Sequence, residues 1–279
     1  MNVFRGFAGR ALMLSSADVY RAVGILHGTE PGEPDNALMT EDSALRTQLH
    51  PYPPAALEML QVLCPWAEPD YDKIPAERIV MGDSDMAGTV LRLPMVYGPR
   101  DPLHRFYPVV KRIADRRPVI LIPESMAQWR GPRGYVENAA AAIARAVVDP
   151  RAAGRIYNVA EADNFTELEW TRRVVEAAGF PGEVRVVPDD RAPAHLKPPG
   201  NYRQHWAVDS SRIRRELGYE EPVPLAGALK RTIEWERAHP PVVSIWKFDY
   251  AAEDAAIAAT ASPQNIHQCW DVTILGVPV

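Results

Sequence analysis

The chain has 279 residues, 47% hydrophobic and 24% charged, an ordinary make-up for a globular protein of one large or two modest domains. A net charge of -5 argues against the basic face that nucleic-acid binding needs. No stretch reaches the roughly 18 apolar residues of a membrane span, and the first residues lack the apolar core and cleavage site of a secretory signal, so a cytoplasmic protein is expected.

Gly6-Phe7-Ala8-Gly9 offers the first two glycines of a dinucleotide loop, but Leu12 stands where the third is due. A strand follows where a helix should, so the pair reads as a helix end leading into the first strand. Residues 11–16 form that strand, a nearly continuous apolar run of the kind buried in parallel sheets. Residues 21–54, rich in Gly, Pro, Glu and Asp, read as an active-site loop region. A helix is predicted from near Asp72 to Met81, with Pro75 tolerated in its first turn. Residues 88–97 form a second buried strand. Arg105–Arg116 is an amphipathic helix, Pro118–Pro123 a short strand, Glu137–Val148 an alanine-rich helix and Arg155–Val159 a third buried strand.

Thr166-Glu167-Leu168-Glu169 is a capping box for a helix ending at Gly179. Val184–Val187 is a short strand. Asp209 caps a helix over Ser210–Leu217, closed by Gly218, and Leu225–Arg237 is a further helix. From Ser262 no periodicity is visible, and a loose tail is expected. The alternation of strands and helices argues a parallel α/β sheet with right-handed crossovers. Cys64 and Cys269 make neither a metal spacing nor a disulfide framework, and seven scattered histidines show no ligand spacing, so no metal is expected.

Three segments in order carry more. Ala11–Ser16 is a strand ending in two hydroxyls, four residues before the Tyr of Val19-Tyr20. Lys73 stands in Lys-x-x-Ala-Glu on a helix. Val90–Tyr97 is an apolar run that breaks at Gly98-Pro99. Together they resemble the extended short-chain dehydrogenase/reductase superfamily, the NAD-dependent epimerase/dehydratase type. The resemblance covers roughly residues 3–250 and takes in Tyr135-Val136-Glu137-Asn138, Ile156-Tyr157-Asn158-Val159 and the segment Asp209–Tyr219.

What the resemblance implies is an α/β fold: a partial Rossmann-like parallel sheet with a small α+β substrate lobe. Residues 1–160 would form an incomplete Rossmann-like core, with 100–125 contributing to the lobe. Residues 161–240 would complete the lobe and supply closing helices, and 241–279 would be a tail. The cofactor implied is NAD or NADP. The activity implied is oxidation, reduction, epimerisation or dehydration of a sugar-like or other small carbinol.

Hydride transfer at a carbinol needs a proton relay beside the nicotinamide. A phenol serves if a nearby ammonium lowers its pKa, and a strand-end hydroxyl orients the substrate oxygen. Matched to the family, Ser16, Tyr71 and Lys73 would be catalytic. Ser15, Lys73, Leu93, Pro94 and Met95 would bind cofactor. Two departures stand out. Four residues before Lys73, where the family carries its tyrosine, stands Pro69; Tyr71 precedes Lys73 by two, about 200° around a regular helix. Met95 stands where the family often has Asn, which loses a polar contact to substrate. Arg92 belongs to the same strand, and Tyr97 is expected to be structural.

In the family a glycine-rich cofactor loop comes well before the serine strand, whereas ten residues precede Ala11 here. No acidic ribose-binding residue follows Gly6-x-x-Gly9 at roughly twenty residues. The chain therefore reads as the second half of a hydride-transfer enzyme, its activity impaired, or as a non-catalytic remnant or partner-binding protein. In that picture one edge of residues 11–16 lacks a strand partner, and self-association or a complementing chain is expected.

Overall fold

The computed structural model describes residues 6–50, 52, 57–58, 61–62, 64, 68 and 70–261. β1 (Arg10–Ser16) leads into a tight 3-10 turn, Ala17–Val19, whose first donor is met by Ser16: its Oγ accepts from the Asp18 amide at 3.1 Å. α1 (Arg21–His27) follows and stops at Gly28, held at φ +71. This corrects the expected loop over 21–54: its first seven residues are helical, because Val23, Ile25 and Leu26 have a core to enter. From there to residue 50 the chain has no helix or strand, only isolated bridges such as Tyr20 to Leu45 and Met39 to Val208.

α2 (Lys73–Met81) starts where Asp72 caps it, the carboxylate accepting from Ile74 N at 2.8 Å, with Pro75 in the first turn. The single strand expected over 88–97 is two. β2 (Ala87–Leu93) and β3 (Met95–Tyr97) part at Pro94, which has no amide to give a ladder. Then come α3 (Tyr107–Ala114), β4 (Val119–Pro123), α4 (Glu124–Gln128), β5 (Arg133–Tyr135), α5 (Val136–Val148) and β6 (Arg155–Asn158). α6 (Glu167–Ala177) begins with the expected capping box of Thr166 and Glu169. β7 (Glu183–Val187) and α7 (Ser211–Leu217) follow; the N-cap position of α7 is Ser210 rather than Asp209, although Asp209 Oδ1 accepts from Ser211 N at 2.7 Å. α8 (Leu225–Ala238) is last of the predicted helices. α9 (Tyr250–Ala261) lies in the stretch expected as tail; the expectation of a loose tail from Ser262 falls outside the described residues.

All strand pairs among the described residues are parallel. β1, β2 and β6 form one sheet with β2 in the middle; β3 pairs with β5, and β4 with β7. β1 has β2 as its ladder partner among the described residues. Register sets which side chains share a face. Ser15 stands beside Arg92 and Ala11 beside Gly88, so these point one way, toward α2; Leu91 and Leu93 point the other way. On that other side Leu91 and Tyr157 pack with Ala142 and Ala146 of α5 and with Ile213 and Leu217 of α7. On the α2 side Gly88 is needed as glycine, since a Cβ there would lie 2.4 Å from the Val80 carbonyl oxygen. A second core is aromatic: Tyr97, Phe106, Tyr135 and Trp170 interlock where α3, α6 and α8 meet, with Tyr97 edge-on to Phe106 at 5.0 Å.

The sheet and α2 are joined by a buried ion pair. Arg92 Nη2 lies 2.8 Å from Glu77 Oε2 and its Nε 3.1 Å from Oε1, both side chains almost wholly enclosed. Ser15 Oγ donates to the same carboxylate at 2.5 Å, and Arg92 Nη1 reaches Tyr20 OH and the Glu41 carbonyl, each at 3.0 Å. Removing one partner leaves the other charged and unpaired, so Arg92→Leu or Glu77→Leu alone is expected to lower stability by about 3–5 kcal/mol. The double replacement is expected to be more stable than either single one. Urea midpoints of the four proteins check this, and additive losses would count against it.

Candidate active site

At the carboxyl ends of β1 and β2 the chain opens a cleft of about 550 Å³. Open parallel sheets place ligands at that end because the strands stop there and loops diverge. The cleft is lined by Ser15 and Ser16 from β1, Tyr71 and Lys73 from the start of α2, and Leu93, Pro94 and Met95 where β2 breaks into β3. The structure thus places all the catalytic and cofactor-binding candidates read from sequence around one cleft.

Their local settings differ. Ser15 is buried and its hydroxyl donates to Glu77. Ser16 caps the 3-10 turn with its hydroxyl oxygen. Lys73 Nζ lies over the ring of Tyr71, 5.1 Å from its centroid, so the ammonium meets the face of the phenol. Burial, reinforced by the Asp18 and Asp72 carboxylates, pushes the Tyr71 phenol up. Pro69 lies outside the described residues.

Two further lining residues were not singled out from sequence. Asp18, in the 3-10 turn, is 2% exposed. Its Oδ2 accepts from Tyr52 OH at 2.8 Å, while Oδ1 is buried with no hydrogen-bond partner. Burial raises the Asp18 carboxyl above the usual aspartate range, against the lowering effects of Tyr52 and Arg46. Tyr52 comes from the irregular stretch after α1, and its ring sits 6.1 Å from that of Tyr71. The signal for Asp18 was its place two residues after Ser16. Nothing local marked Tyr52.

Residues 70–160 match the family model described as NAD dependent epimerase/dehydratase family. The match spans those residues alone. A dTDP-glucose 4,6-dehydratase of Streptomyces griseus is 35% identical over 88 residues, which are 31% of this chain and 24% of that protein. Among solved structures, the UDP-glucuronic acid 4-epimerase of Bacillus cereus, in complex with UDP-glucuronic acid and NAD, is 17% identical with a TM-score of 0.53. The match covers 81% of this chain and 61% of the epimerase. The dTDP-glucose 4,6-dehydratase of Streptomyces venezuelae, solved with NAD bound, is 22% identical with the same TM-score of 0.53, over 82% of this chain and 60% of the dehydratase. The chain therefore spans less than two thirds of these relatives, with their Rossmann-type α/β fold. Its mixed α/β architecture of parallel sheets is the one expected from sequence. Among the described residues no helix is long and apolar enough to cross a membrane, and no cluster of His, Cys, Asp and Glu could hold a metal.

In this cleft the strand-end Tyr97 is a lining residue and also donates to Glu161 Oε1 at 2.6 Å. Burial pushes the Glu161 carboxyl up to about 7, aided by Glu221 and opposed by the Tyr97 hydrogen bond. The folded protein then holds a proton that the unfolded chain has released above its own carboxyl range. Stability from this group is full below about pH 4.5 and is lost as pH rises toward 7, by on the order of 3 kcal/mol at most. Glu161→Gln is expected to remove that fall. Urea midpoints at pH 5 and pH 8 should show the variant gaining on the wild type at the higher pH; an equal difference at both would count against the assignment.

Proposed function

We propose that the chain carries the substrate-binding and proton-handling part of an NAD(P)-dependent epimerase, dehydratase or reductase acting on a sugar-like carbinol. The observation that supports this is the convergence of Ser16, Tyr71, Lys73 and the Leu93-Pro94-Met95 break on one cleft at the carboxyl end of a parallel sheet. The names of the relatives, sugar-nucleotide dehydratases and an epimerase solved with NAD, point to a nucleotide-linked sugar as the substrate class.

The residues present fit one end of such a cofactor. Lys73, Leu93, Pro94 and Met95 would flank a nicotinamide and its ribose, which would supply hydride acceptance when bound. Ser16 would orient the ligand hydroxyl. For the pyrophosphate, the described residues give a poorer fit. Gly6 and Gly9 precede a strand rather than open a helix, so they do not aim a helix N-terminus at phosphate. We therefore read the chain as holding the dinucleotide weakly by itself. A second reading, a non-catalytic protein that pairs with a partner, draws on the outer edge of β1, where Leu14 is 43% exposed.

Calorimetric titration is expected to give dissociation constants for NAD(H) and NADP(H) no tighter than millimolar; a micromolar value for either would overturn weak binding. In a preparation that turns over a nucleotide sugar, Lys73→Ala and Ser16→Ala are each expected to lower kcat by about a hundredfold or more. Unchanged kcat in both would count against the roles given to Lys73 and Ser16.

A further inference from the structure

The loop between β3 and α3, residues 98–106, forms one wall of the cleft through Pro99, Arg100, Asp101, Pro102, Leu103 and Arg105. Three of its residues hold a positive φ: Gly98 at +131, Arg100 at +70 and His104 at +47. For an arginine and a histidine that conformation costs free energy and persists only where the surroundings hold it. The holding contacts come from outside the cleft. His104 Nδ1 lies 2.7 Å from Glu236 Oε2, and its ring stacks on that of Trp235 at 5.1 Å, both residues of α8. Trp246, in the irregular stretch after α8, donates its Nε1 hydrogen to the Leu103 and His104 carbonyls, at 2.9 and 3.1 Å.

We propose that residues 246–261 are a strap that sets this wall of the cleft, with Trp246 as its positioning residue. The strap is fastened along α3, the helix into which the loop runs. The Phe248 ring meets the Lys111 ammonium and the Arg112 guanidinium, 5.4 and 5.1 Å from its centroid, and Tyr250 OH donates to Asp115. Glu253 of α9, fully buried, takes Arg112 at 2.5 Å and His195 at 2.9 Å, and Arg117 pairs with Asp254. Ala256, one turn on, shares an apolar cluster with Val119 and Leu121 of β4 and Val187 of β7.

The buried pair of Arg112 and Glu253 gains little net stability, because desolvation offsets most of the attraction. What it fixes is the place of the strap on α3. With the strap seated, one indole N–H is shared by two successive carbonyls, which fixes both peptide planes and with them the left-handed residue His104. Wall and strap are then one coupled unit. A ligand that packs against Leu103 or Arg105 in this position tightens the strap, and loss of the strap loosens the wall by the same free energy. This holds for whatever ligand the cleft takes, so it stands apart from the reading of function.

Cys64 supplies the probe. It is 6% exposed, lines the cleft, and lies close enough to Arg105 and Asp101 of the loop for their charges to act on its thiol. In protein carrying Cys269→Ser, the rate at which a small aromatic disulfide labels Cys64 reads how firmly the wall is held. Trp246→Phe keeps a ring and removes the donor, and is expected to speed labelling by about two- to tenfold, the worth of one ordinary hydrogen bond. Glu253→Gln weakens the far end of the strap and is expected to speed labelling as well. Ile213→Val, in the core between the sheet and α7, lowers the urea midpoint without touching the strap and is expected to leave the rate unchanged. The proposal is overturned if Trp246→Phe or folded Glu253→Gln labels at the wild-type rate, or if Ile213→Val speeds labelling as much as Trp246→Phe does. If Glu253→Gln does not fold, Phe248→Leu, which loses its contacts with the two cations, takes its place on the same terms.

Discussion

Arg92 is the group around which the sheet end is organised. A guanidinium in the middle strand of a parallel sheet would be ruinous unless all its donors were met. Here Glu77 takes two of them, and Tyr20 OH and the Glu41 carbonyl share a third. The partners are then tied to one another. Tyr20 donates to Asn158 Oδ1 at 2.6 Å, Asn158 N donates to Glu41 Oε1 at 2.8 Å, and Ser15 donates to Glu77. Through one buried charge the ends of β1, β2 and β6, the helix α2 and the loop at residue 41 are fixed in mutual register. The cleft opens where that network stops, so its walls inherit a rigid floor.

A second clamp decides what stands on the floor. Arg46 holds the turn bearing Asp18, the loop bearing Tyr52 and the cap of the helix bearing Lys73. A fork of fixed donors suits this better than an ammonium would, because three acceptors in different directions must be met by one side chain. Both clamps bury charge, and neither is a large net source of stability when counted against its desolvation. Their effect is geometric: they hold irregular backbone to a fixed distance from the sheet.

The strands and most helices were legible because their cause is local. Apolar runs such as Ala11–Leu14 and Val90–Leu93 can be satisfied only by burial on both faces, and the Thr166–Glu169 box declares a helix start in four residues. α1 was passed over because the Gly and Pro that follow it dominate the composition of 21–54. α9 was missed although alanine-rich, and its anchoring is wholly long-range: Glu253, fully buried, pairs with Arg112 at 2.5 Å and His195 at 2.9 Å. Arg46 with Asp72 and Tyr52 with Asp18 are separated by 26 and 34 positions, and no periodicity connects them. Resemblance placed Ser16, Lys73 and the Leu93-Pro94-Met95 break in one cleft, yet it carried no notice of the carboxyl that shares it.

The displaced tyrosine shows how such a site is constrained. With Asp72 required as the cap, residue 71 lies just outside the helix, and its ring turns beneath the Lys73 ammonium instead of standing one turn behind it. The ring also lies near that of Tyr52, so two phenols and two carboxylates share a small volume with Arg46. Like charges crowded in this way cannot all ionise. Asp72 is held by two backbone amides and faces the guanidinium, whereas Asp18 has one phenol on Oδ2 and a buried Oδ1 without a hydrogen-bond partner. Burial raises the carboxyl of Asp18, which also lines the cleft, above its ordinary range.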